Sequence, residues 1–147
     1  MQAALTLLRA RYEDGFLTCT AVPCTAANVA VPAGNRIAGR QRGSLWLELQ
    51  TPRFAGAQFA LEWRATARSA VNDLNSEFAP GCGVVNLRLS HRTELGDGLA
   101  LEWLARLDNV ADKVHAGSVI VNDANGRFYE PGAPRNGLLA LRLIRKY

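Results

Sequence analysis

Leucines occupy every second position near the end of the chain. Leu139, Leu141 and Leu143 share one parity, and the terminal Tyr147 falls on it too. Successive β-strand side chains point to opposite faces, so a period of two makes one face apolar and leaves the other to charges. The pattern recurs upstream. In 44–50, Leu45, Leu47 and Leu49 oppose Ser44, Trp46, Glu48 and Gln50. In 58–68, Phe59, Leu61, Trp63, Ala65 and Ala67 oppose Gln58, Ala60, Glu62, Arg64, Thr66 and Arg68. In 84–91, Val85, Leu87, Leu89 and His91 oppose Val84, Asn86, Arg88 and Ser90. In 99–108, Leu99, Leu101, Trp103, Ala105 and Leu107 oppose Ala100, Glu102, Leu104, Arg106 and Asp108. A further strand over about 4–12 alternates poorly, because Leu5 and Leu7 share a parity with Arg9 and Arg11. The pattern predicts an all-β chain, an antiparallel up-and-down meander of about six strands.

Such faces suit a transmembrane β-barrel, in which apolar residues meet lipid and polar ones line the lumen. Each apolar face is free of formal charge in its middle, where a charge would cost about 2–4 kcal/mol at the bilayer midplane. Connections 51–57 and 93–98 are short and hold Pro or Gly, whereas 13–42, 70–81 and 113–134 are long. Short turns on one side and long loops on the other are the asymmetry of outer-membrane barrels. No run reaches the length of a transmembrane helix, which a barrel does not need. Charged residues make up 20% and hydrophobic residues 48%, so neither a disordered nor a collagen-like chain is indicated. The net charge of +4 comes from scattered basic residues without a nucleic-acid motif, so no nucleic-acid partner is expected.

The wording of the last third carries a family resemblance. Residues 106–113 read RLDNVADK, 118–131 read SVIVNDANGRFYEP, and 135–147 form the closing alternating strand. The succession resembles the C-terminal end of TonB-dependent outer-membrane receptors, where an RVDNLFDK-like strand, an SVxVNxANGRxxEP loop and an aromatic-ended strand follow one another. Two departures are Val110-Ala111 in place of Leu-Phe, and Arg145 at a usually apolar position. The family barrel has about 22 strands around a plug. A chain of 147 residues therefore reads as a single partial domain, the C-terminal segment of a transmembrane β-barrel without its plug. The resemblance implies a cell outer membrane location and a parent activity of energy-coupled uptake of a ferric siderophore or similar metal complex. The segment alone should not transport. Its expected partners are outer-membrane lipid, the rest of the barrel and its plug, the barrel-assembly machinery and the metal-complex ligand. The machinery would read Leu139, Leu141, Leu143 and Tyr147. Asn122, Arg127, Phe128 and Tyr129 are the loop residues suited to an anionic or aromatic ligand. Within that loop Asp123-Ala124-Asn125-Gly126 reads as a turn, since Asn-Gly adopts positive φ cheaply, and Pro131 and Pro134 stiffen the return.

No catalytic constellation is evident, and an enzyme is not expected. His91, at a strand end, and His115, in a loop, have no carboxylate or cysteine at ligand spacing, so neither metal nor other cofactor is expected. The serines lack a nucleophile elbow, and Gly81-Cys82-Gly83 is not a phosphate loop. Glu48, Glu62 and Glu102 share the polar face with Arg64, Arg88 and Arg106. The expected arrangement is a lumen wall on which opposite charges meet across strands, in preference to paired catalytic carboxylates.

Three features leave alternatives open. Cys19 and Cys24 could pair, leaving Cys82 free, or all three could be thiols. Phe59, Trp63 and Ala67, like Leu99, Trp103, Leu107 and Val110, also fit a helical stripe. The opening MQAALTLLRARYEDG does not read as a secretory signal, because charge interrupts it at Arg9. That favours a rival reading, a small soluble β-rich binding or structural module that folds its apolar face inward.

Overall fold

The computed structural model describes residues 1–19 and 23–145. Its strands are β1 (Gln2–Leu7), β2 (Phe16–Thr18), β3 (Val29–Val31), β4 (Gly43–Gln50), β5 (Ala57–Thr66), β6 (Ser69–Ala70), β7 (Phe78–Ala79), β8 (Cys82–Gly96), β9 (Leu99–Asp108), β10 (Ala116–Val119), β11 (Tyr129–Pro131) and β12 (Asn136–Arg145). No helix occurs among the described residues, so none is long and apolar enough to cross a membrane. Both segments with a helical alternative are strands.

Six strands make one antiparallel sheet in the order β1-β4-β5-β8-β9-β12, the expected meander. The remaining six pair as small hairpins, β2 with β3, β6 with β7 and β10 with β11. Each hairpin lies inside one long connection, so all three gather at one end of the sheet. Two tight turns close the other end. Ala55 and Gly56, both at positive φ, join β4 to β5, and Phe54 and Ala57 exchange backbone hydrogen bonds across them. Two consecutive positive φ values match the right-handed twist of the flanking strands. A Cβ at Gly56 would also lie 2.3 Å from the Arg92 carbonyl oxygen, so this position needs glycine twice over. Asp97 and Gly98 play the same part between β8 and β9.

Some boundaries differ from the expected ones. β1 stops at Leu7, so Arg9 and Arg11 lie beyond it, and the poor alternation of 4–12 is that of a strand plus part of a loop. β8 continues to Gly96, past the expected turn start at Thr93, with a register shift between Glu94 and Gly96. His91 is therefore inside β8, stacked on Trp103 with ring centroids 5.9 Å apart, not at a strand end.

The register aligns the apolar residues in rows across the sheet. Leu49, Leu61, Leu87 and Leu107 form one row; Phe59, Leu89, Ala105 and Leu139 form the next. Among the described residues nothing folds over them. Leu5 remains 67% exposed, Leu139 69% and Leu141 70%. The buried apolar residues are small: Val31, Ala38, Ala70, Val71 and Ala79 among the loops, and Ala60 and Ala100 on the polar face. The rival reading required the leucine face to turn inward, and in this structure that face stays open.

Candidate functional site

The polar face begins from even-numbered positions of β4, β5, β8 and β9, where the period of two collects charge. Glu62 on β5 accepts hydrogen bonds from Trp46 Nε1 at 2.8 Å and Asn86 Nδ2 at 2.6 Å, and pairs with Arg64 at 2.9 Å. Arg92 and Arg142 flank Glu102 from β8 and β12, at 3.0 and 3.9 Å. Arg106 pairs with Asp108 along its own strand at 2.7 Å. Arg88 on β8 reaches Glu48 on β4 at 2.9 Å, crossing the intervening strand β5. Its path lies over Ala60, its register partner, whose short side chain is buried beneath. Opposite charges thus meet within a strand, across neighbours and once across two ladders. Each of the three glutamates already holds cationic or N–H donors.

A relay links this wall to the loops. Asn86, whose amide nitrogen donates to Glu62, accepts the backbone N–H of Asn109 at 2.9 Å. Asn109 is buried and sits at φ 49° just beyond β9. Its side chain accepts from the Lys113 N–H and donates to the carbonyls of Lys113 and Ala133. A short amide that tolerates left-handed backbone suits this position. The asparagine in the 106–113 stretch is thus the staple that starts the long loop.

A second knot holds the three loops together. Asp73 accepts from the Tyr12 hydroxyl at 2.7 Å and from Asn122 Nδ2 at 2.6 Å, while its backbone N–H donates to Asn122 Oδ1 at 2.9 Å. Asn75, at φ 56°, exchanges hydrogen bonds with the backbone N–H and carbonyl of Arg36. Burial, then the hydrogen bond to Asp73 and its negative charge, push the Tyr12 phenol up to about 12. A cleft of about 290 Å³ opens beside this knot, lined by Cys19, Asn72, Asp73, Asn122, Gly126 and Phe128 among others.

Of the four loop residues singled out from sequence, Asn122 and Phe128 line this cleft and Arg127 and Tyr129 do not. The amide of Asn122 is spent on Asp73, which makes it a loop clip first. Arg127 closes the turn through its backbone N–H to Asp123 at 2.7 Å, and Tyr129 starts β11, half exposed. Leu139, Leu141 and Leu143 share the open face of the edge strand β12; Tyr147 lies outside the described residues. Cys19 and Cys24 are disulfide-bonded, with Cα atoms 5.7 Å apart, and Cys82 is free. His115 is bonded through Nδ1 to the Lys113 carbonyl. Among the described residues, no cluster of three or more His, Cys, Asp or Glu could hold a metal ion.

No family model matches the chain. Among solved structures, it aligns with BauA, the ferric preacinetobactin receptor from Acinetobacter baumannii, with a TM-score of 0.60, 18% identity and 74% of the chain covered. The sheet is folded like one stretch of that receptor. The matched part is 16% of the receptor chain, so this chain spans a small fraction of its length. At this identity the likeness is one of fold. Tyr12, Asp73, Asn75 and Arg36 were not singled out from sequence. Their contacts join residues 38 to 61 positions apart, and no local period marks such pairs.

Proposed function

We propose that this chain is the C-terminal segment of the outer-membrane barrel of a TonB-dependent receptor, one whose parent takes up a ferric siderophore or similar metal complex. The observation that carries the reading is the two-faced sheet. One face is an uncovered band of leucines and aromatics, the other a web of ion pairs, with long loops gathered at one end and two-residue turns at the other. A lipid-facing band and a lumen wall are the ordinary use of that combination. The fold of the solved siderophore receptor and the wording of residues 106–131 support it. The loop disulfide fits a compartment that oxidises thiols. On this reading the segment is not an enzyme. It contacts outer-membrane lipid, the preceding strands and the plug, and its final strand is read by the assembly machinery. Any ligand meets the loop end.

The test is the state of the purified chain with and without nonionic detergent. β-rich material that is aggregated in buffer, dispersed by detergent and incorporated into lipid vesicles is the expected result. A detergent-free monomer near 15.9 kDa would sink the proposal in favour of a self-contained soluble module.

A further inference from the structure

The chain leaving β1 and the chain entering β4 enclose a cleft of about 480 Å³ lined by Leu7, Leu8, Arg9, Arg11, Arg36, Arg40 and Arg42, with Ala10 and Gln41. Among the described residues, five of the nine that line it are arginines and none is acidic. The two segments are fixed to one another. The Leu8 N–H donates to the Arg42 carbonyl at 2.9 Å, the Ile37 N–H to the Ala10 carbonyl at 3.3 Å, and Arg11 and Arg36 form an antiparallel bridge. The guanidinium groups are therefore brought together by backbone geometry, against their mutual repulsion.

Arg36 is the group that points to a ligand. Its Nη1 is sealed from solvent and has no hydrogen-bond acceptor among the described residues. An N–H of a charged group left in that condition is costly, so an acceptor is owed to it. Desolvation, followed by the positive charges of Arg42, Arg11 and Arg68, lowers the Arg36 pKa. Among the described residues, the charges that shift it are of its own sign, and an anion would offset them. Planar guanidinium forks match the oxygens of phosphate and carboxylate, and several forks around one space favour a compact, multiply charged group.

We propose that this cleft binds a terminal phosphate group, with Arg36 as the central donor and Arg11, Arg40 and Arg42 around it. The inference does not rest on the receptor reading. Because Leu7 and Leu8 share the cleft with the arginines, the group can belong to a free phosphate or to a lipid headgroup.

The experiment uses the whole chain in nonionic detergent at low ionic strength. Calorimetric titration with inorganic phosphate covers the free anion, with chloride at equal ionic strength as the blank. Flotation with phosphatidic acid vesicles against phosphatidylcholine vesicles covers the headgroup. Saturable binding in either arm, weakened about tenfold in Arg36→Gln, is the expected result and identifies the source. Arg53→Gln, at the opposite end of the sheet, should bind as wild type. If Arg36→Gln loses its β circular dichroism signal, Arg42→Gln and Arg40→Gln take its place. Absence of binding in both arms, or unchanged binding in the folded arginine variants, would overturn the assignment.

Discussion

Tyr12 keeps its proton because Asp73 accepts the hydrogen bond and the surroundings disfavour a phenolate. Its pKa rises from 10.0 to about 12, so the neutral form is the one the fold stabilises. The linked stability is present below pH 10, and is lost as pH climbs from about 10 through about 12. Ultraviolet titration should find one tyrosine ionising near the upper value, and Tyr12→Phe should remove it. That variant should cost about 1 kcal/mol and speed amide exchange around residues 73 and 122. Asn109→Ala should cost more, about 2 kcal/mol or above. It strips three side-chain hydrogen bonds from a buried position and puts alanine at positive φ. Asn109→Gly separates the two terms, since it keeps the backbone freedom and loses the amide. Denaturation of the three proteins in one detergent would measure the difference. Asparagine roles of this kind are poorly legible in sequence. In the sequence Asn109 is one letter of the RLDNVADK stretch, and only the structure reveals that it holds Ala133, 24 residues on.

Strands were the most legible elements. Backbone geometry fixes their period at two, and eight to fifteen residues are enough for it to stand out in β4, β5, β8, β9 and β12. The hairpins β2–β3, β6–β7 and β10–β11 have strands of two to four residues, too short to register a period. In sequence they look like plain loops. The crossing of Arg88 over Ala60 was also hidden, since alternation assigns a face but says nothing about reach. Ala60→Leu should block that path and overpack a buried site, at a cost of about 1–3 kcal/mol. Arg88→Ala in the leucine background should then add little further loss, which a double-mutant cycle would read. The cysteine count leaves open a Cys19–Cys24 disulfide or three thiols, and in the structure Cys19 and Cys24 are bonded. Denatured, unreduced protein should present one reactive thiol, from Cys82, and reduction should raise the count to three.

At the scale of the molecule, the sheet has faces and edges that it does not itself satisfy. β1 and β12 each have one ladder partner among the described residues, so both edges offer backbone groups to further strands. The leucine band is a contiguous apolar surface of the kind that seeks lipid or another chain. Leu141→Arg places a charge within that band. It should raise solubility in buffer and reduce incorporation into lipid vesicles, at a cost of about 2–4 kcal/mol if Leu141 sits near the bilayer midplane. Vesicle flotation of the two proteins side by side would measure it, and equal incorporation would argue that the band does not face lipid. The uneven connections also bear on how such a sheet could form in time. Two-residue turns at Ala55-Gly56 and Asp97-Gly98 leave almost no chain entropy to be lost in joining β4 to β5 and β8 to β9, and isolated hairpins zip in about 1–10 μs. The three loop-bearing junctions must close far longer stretches of chain first. On that ground the β4–β5 and β8–β9 hairpins are expected to form first, and the junctions to β1 and β12 and the knot at Asp73 to close later, an order that pulse-labelled amide exchange during refolding in detergent would read.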